Sequence, residues 1–152
     1  MPHASREEME ALDHISRVMD LDKAQMAAAL KAEGEGLQLM EAHILRIVLA
    51  HEGCTQLDVV HETRRDKAQI GKLVATLVGR GLLSKAADPQ DRRRQRLTLT
   101  ARGEELARRS TAHRAAVAHL LFAETPPDEL KQLVTLLQRL EASIAPSSPP
   151  RD

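Results

Sequence analysis

Apolar residues recur along this chain with a helical period over most of its length, and one stretch breaks that rhythm. Met9, Leu12, Ile15, Met19, Met26 and Leu30 continue a stripe from a capping box at Ser5 and Glu8, which predicts a long first helix ending near Lys31. Gly34 and Gly36 interrupt it. Met40, Ile44, Ile47 and Val48 then predict a second helix from about Leu39 to His51, stopped by Gly53. Thr55 with Asp58 reads as the cap of a short third helix, whose apolar contacts come from Leu57, Val59 and Val60. Ile70, Leu73, Val74, Leu77 and Val78 mark one face of a fourth helix, with Asp66 and Gln69 as its capping box and Gly79 and Gly81 at its end.

The period then changes to two. Leu82 to Ala87 and Gln95 to Thr100 predict strands, the second with Leu97 and Leu99 inward and Arg96 and Thr98 outward. Between them Asp88-Pro89 opens a tight, exposed loop that carries Arg92, Arg93 and Arg94. Two short helices followed by a hairpin with a cationic tip is the order of a winged helix-turn-helix, so the expected class is mainly α with a small β component (α+β). Thr100 caps a fifth helix to about Ala123, with Leu106, Ser110, His113, Val117, Leu120 and Leu121 along one side. Thr125, Pro126 and Asp128 start a sixth, with proline at the first helical position. Along it Leu130, Leu133, Leu137, Leu140 and Ile144 repeat at alternating spacings of three and four, the pattern of a packing seam. The closing APSSPPRD reads as a disordered tail.

Composition narrows the function classes. A chain of 152 residues with 42% hydrophobic content suits one soluble domain. The charged start MPHASREEME and the lack of a long apolar run point to a cytoplasmic protein without a membrane span. A single cysteine, Cys54, rules out an internal disulfide framework and reads as a small buried residue. The formal net charge is zero, yet Arg64 to Arg109 holds thirteen basic residues against five acidic ones, a local excess of +8. Positive charge gathered on one motif of a neutral protein is a footprint for phosphate.

The segment Asp88-Pro89-Gln90-Asp91-Arg92-Arg93-Arg94, followed by Leu97-Thr98-Leu99-Thr100-Ala101-Arg102-Gly103, resembles the D-x-x-D-R-R wing and the LT-x-x-G helix entry of the MarR family of bacterial transcriptional regulators. Both lie at the expected distance after Gly81-Leu82-Leu83. The turn between the third and fourth helices departs from that pattern, with Thr63-Arg64-Arg65 where the family usually has an apolar residue and a glycine. The resemblance implies a single domain over 1–145, with a winged core at 37–100, dimerisation helices at 5–33 and 101–145, and a tail at 146–152. It further implies a homodimer whose two ends intertwine across a two-fold axis, and a wing in which Asp91 positions the loop.

The expected activity is sequence-specific binding of double-stranded DNA at a pseudo-palindromic operator, by a repressor that a small-molecule effector releases. Gln69 can pair with adenine, Lys67 or Lys72 with guanine or phosphate, Arg64 and Arg65 with phosphates, and Arg92, Arg93 and Arg94 with the minor groove. An effector pocket is assigned to His43, Ile47 and His51. Competing readings are a redox- or metal-responsive regulator of the same fold and a winged helix that docks a protein. Metal binding by Glu41, His43, His113 and His119 is disfavoured because His113 and His119 are six apart and face different ways. No metal or other cofactor is expected. No nucleophile elbow, phosphate loop or His-Glu-x-x-His is present, so no catalytic activity is expected.

Overall fold

Most helices begin where a side chain answers the unpaired amides of the first turn. In the computed structural model, which describes residues 3–144, reciprocal capping boxes start α1 (Arg6–Glu33) at Ser5 and Glu8 and α3 (Gln56–Thr63) at Thr55 and Asp58. At the start of α2 (Leu39–Ala50) the Gln38 amide N–H donates to Glu41 Oε2 at 2.9 Å, a contact unnoticed in the sequence. Residue 145 and the expected tail at 146–152 lie outside the described residues. The box expected at α4 (Lys67–Gly79) is only half formed. Asp66 Oδ2 accepts the Gln69 amide N–H at 3.1 Å, and the Gln69 side chain does not return the bond.

The end of α4 sets the path into the hairpin. Leu82 N–H donates to the Leu77 carbonyl and Gly81 N–H to that of Val78, a Schellman closure in which Gly81 takes φ 71°. β1 (Leu83–Ala87) and β2 (Gln95–Leu99) pair antiparallel with Leu83 opposite Leu99 and Lys85 opposite Leu97. The hairpin is also tied to α3: Leu97 N–H donates to the Cys54 carbonyl at 2.8 Å, and Arg96 bridges to Thr55. Thr100 then caps α5 (Ala101–Phe122), accepting the Gly103 N–H while its hydroxyl donates to the Gly81 carbonyl at 2.6 Å.

One core joins these elements. Ile44, Leu45, Val59, Ile70, Val74, Leu77, Leu83, Leu97 and Leu106 are buried within it, each such burial contributing about 1.5–3 kcal/mol. The stripe predicted for α4 faces this core, whereas Leu57 on α3 is exposed, against expectation, because it points past the edge of the core toward the wing side.

The chain forms two compact units, one extending to Val117 and a second beginning at Ala118. In the first, only the C-terminal part of the α1 stripe is covered: Met26 and Leu30 are buried, while Met9, Leu12, Ile15 and Met19 are exposed. In the second, α6 (Pro127–Ile144) starts one residue later than predicted, with Pro127 rather than Pro126 at its first position. The Pro126 carbonyl instead accepts the Leu130 amide. The predicted seam buries nothing fully: Leu130 and Leu133 are half-buried, Leu137, Leu140 and Ile144 exposed. Leu120, expected on the covered side of α5, is exposed as well.

Candidate nucleic-acid interface

The cationic residues of the Arg64 to Arg109 segment fall into two groups that their spacing does not distinguish. Arg80 pairs with Glu41 at 3.2 Å, Arg96 with Asp88 at 3.4 Å, Arg102 with Glu35 at 2.5 Å and Arg108 with Glu104 at 2.6 Å, while Arg109 pairs with Glu105. These pairs bind the hairpin, the α1–α2 loop and α5 together. Among the described residues, Arg64, Arg65, Lys67, Lys72, Arg92 and Arg93 take part in no ion pair, and all six are exposed. Those six lie on the α3–α4 turn, on α4 and at the hairpin tip. Unpaired surface cations keep their full charge available for phosphate.

The turn holds its shape by an unusual backbone. Arg64 has φ 51°, the only described residue other than glycine with positive φ, so it takes the conformation that glycine would otherwise supply. The departure Thr63-Arg64-Arg65 therefore preserves the turn and adds charge to it. Thr63 closes α3 by donating its hydroxyl to the Val59 carbonyl at 2.7 Å. On α4, Gln69 is exposed, and the missing half of its capping box leaves the side-chain amide free.

The wing loop is braced by two aspartates. Asp91, expected as the positioning residue, accepts the Arg93 N–H at 3.0 Å and lies 3.7 Å from the Arg94 guanidinium. Asp88 was not singled out in the sequence, yet it is the more buried of the two. It accepts the Gln90 amide at 2.9 Å and faces Arg96, and these contacts hold its carboxyl below the usual carboxylate range, the Gln90 bond contributing most. Its signal was the Asp-Pro pair, which identifies a turn without revealing the partner Arg96 further along the chain.

Of the three assigned pocket residues, Ile47 and His51 line a cavity of about 410 Å³, together with Cys54 and, from α3, Asp58, His61 and Glu62. His43 does not line it. It stands one turn earlier on the same face of α2, where burial, followed by the charge of Arg46, lowers its pKa. Burial pushes the Cys54 thiol up to about 11, aided by Asp58 and Glu62. Of the four residues weighed as metal ligands, Glu41 pairs with Arg80 and His113 with Glu33 at 2.8 Å.

The sequence profile of the MarR family matches residues 35–94. The chain is 29% identical over 114 residues to the HTH-type transcriptional regulator BilQ of Clostridium symbiosum, covering 70% of this chain and 74% of that protein. Its fold superposes on a MarR family regulator of Streptomyces coelicolor in complex with DNA at a TM-score of 0.83, with 17% identity, over 97% of this chain and 93% of that one. It also resembles CouR of Rhodococcus jostii, solved bound to p-coumaroyl-CoA, at 26% identity and a TM-score of 0.76, covering 89% and 92% of the two chains.

Proposed function

We propose that this chain, whose residues 35–94 match the MarR family of winged helix-turn-helix transcriptional regulators, is a member of that family and a homodimeric repressor that grips a pseudo-palindromic operator and is released by a small molecule. The observation that carries the DNA-binding surface is the sorting of charge: Arg80, Arg96, Arg102, Arg108 and Arg109 are paired with carboxylates, whereas Arg64, Arg65, Lys67, Lys72, Arg92 and Arg93 are not. In this reading α4 enters the major groove, where Gln69 pairs with adenine and Lys67 or Lys72 meets guanine or phosphate. Arg64 and Arg65 hold the backbone, and Arg92, Arg93 and Arg94 reach the neighbouring minor groove, with Asp91 positioning the loop.

The bare apolar residues of α1 and α6 support the dimer. Each presents large exposed hydrophobics, among them Leu12, Ile15, Leu137 and Leu140, a surface that monomers rarely leave open to water. Two-fold pairing would set half-sites about one helical turn, roughly 34–36 Å, apart.

The cavity at Ile47 and His51 supports an effector site against α3, the helix that precedes the DNA-reading α4, with His43 extending the same face of α2. Glu52, Asp58 and Glu62 stand around it, so its field favours a neutral or cationic molecule over an acid. Selection of bound duplexes from a random pool tests the whole reading. The selected sequence should be inverted-repeat, Gln69→Ala should change which bases are preferred, and Arg93→Ala with Arg94→Ala should weaken binding to every duplex and flatten its salt dependence. Equal retention by the wing variant at all salt concentrations would remove the wing from the mechanism.

A further inference from the structure

Lys85 breaks the alternation of its own strand. The register sets Leu83 opposite Leu99 and Lys85 opposite Leu97, so Lys85 shares the inward face of the hairpin with residues that belong to the core. Leu83 and Leu97 are buried there; Lys85 is exposed. A charged residue at an inward strand position is a local error unless it has a use. The hairpin here projects beyond the core, and Lys85 lines an open cleft of about 270 Å³ between α3, the start of α4 and the wing, whose α3 wall includes Leu57 and Val60.

The charge in that cleft is of one sign. Lys67 at the first position of α4, Lys85 on β1, and Arg93 and Arg94 from the wing all line it, with Thr55 and Gln56 on the α3 side and no carboxylate among the lining residues. Lys67, Lys85 and Arg93 have no ion-pair partner among the described residues, and Arg94 has only the loose 3.7 Å contact to Asp91. The Gln56 Oε1 is buried without a hydrogen-bond donor. Like charges brought to one concave site without counter-charge repel one another, and an anion entering between them removes that cost.

We propose that this cleft seats a backbone phosphate of the bound duplex, the one lying between the groove read by α4 and the groove reached by the wing, and that Lys85 is its additional cationic contact. This rests on the DNA-binding reading above. Recognition helix and wing then hold a shared phosphate, which locks the wing in register with the helix and adds affinity without reading sequence.

The test uses the full chain and the duplex selected from the random pool, with Lys85→Leu and Lys85→Arg. Lys85→Leu restores the apolar alternation, so its melting temperature should match or exceed that of the wild type. Its log K against log salt slope should fall by about 0.9, with the ratio of selected to random duplex unchanged. Lys85→Arg should keep the wild-type slope. A scan replacing single phosphates of the operator by neutral methylphosphonates should reveal a position in each half-site that weakens wild-type binding and is silent in Lys85→Leu. Wild-type slope and phosphate scan retained in Lys85→Leu would overturn the phosphate seat while leaving DNA binding intact. Failure of the wild type to retain any duplex would overturn both. Inorganic phosphate, compared with chloride at matched ionic strength, should not raise the melting temperature of the DNA-free wild type; a rise abolished by Lys85→Leu would make the cleft a site for free anions and overturn the duplex assignment.

Discussion

At Gly103 the absence of a side chain is a steric requirement, since a β-carbon there would fall 1.9 Å from the Leu82 carbonyl oxygen. That oxygen accepts the Thr100 amide where the hairpin runs into α5, so neither group can retreat without opening the junction. Gly103→Ala should therefore destabilise the protein by about 3 kcal/mol, the upper end for overpacking, as read by urea unfolding; a loss under about 1 kcal/mol would mean that the junction yields. Arg64 presents the opposite case. Its φ of 51° strains a residue with a β-carbon, so Arg64→Gly should raise stability by up to about 1 kcal/mol while lowering affinity for duplex through the lost charge. Parallel change of both quantities would show that Arg64 serves the turn alone.

At the scale of the element, the wing depends on Asp88 as much as on its arginines. The Asp88 carboxyl is held below its ordinary pKa by the Gln90 amide and Arg96. The stabilisation is therefore complete above the unfolded value of about 3.9 and is lost as pH falls through the lower folded value. Protection of the Asp88 and Arg94 amides, both bonded within the loop, taken as the ratio of intrinsic to observed exchange rate, should fall below about pH 4 before the helices unfold, and Asp88→Asn should remove that step. Protection independent of pH down to global acid unfolding would contradict it. In α4 the cap is incompletely formed, and the Gln69 side chain that a full capping box would hold is left exposed, as the proposed base contact requires.

For the whole molecule, the exposed apolar stripes on α1 and α6 are the features that a single chain does not account for. If they pair two chains, sedimentation should give twice the 16.8 kDa of one chain, and Leu12→Glu with Leu140→Glu should halve that mass with helical content retained. A wild type sedimenting as one chain would refute the dimer and, with it, the inverted-repeat operator. The charge segregation also belongs to this scale. Glu35 and Glu41, far from the basic segment in sequence, neutralise Arg102 and Arg80 and leave the interface cations unopposed.

Local rules were sufficient for what depends on near neighbours. Capping boxes at Ser5 and Thr55, the apolar face of α4, the glycine-terminated entry to β1 and the two strands are each set by residues within a turn or two, and their order already specified a winged helix-turn-helix. Contacts across long separations needed the tertiary structure, because spacing along the chain carries no information about which charges meet. Only the folded chain separates Arg80, Arg96 and Arg102, held by carboxylates, from Arg92, Arg93 and Lys67, left open. Only it shows why Gly103 must lack a side chain, and that Lys85, inward by register, opens onto a cleft because the core ends before the hairpin does.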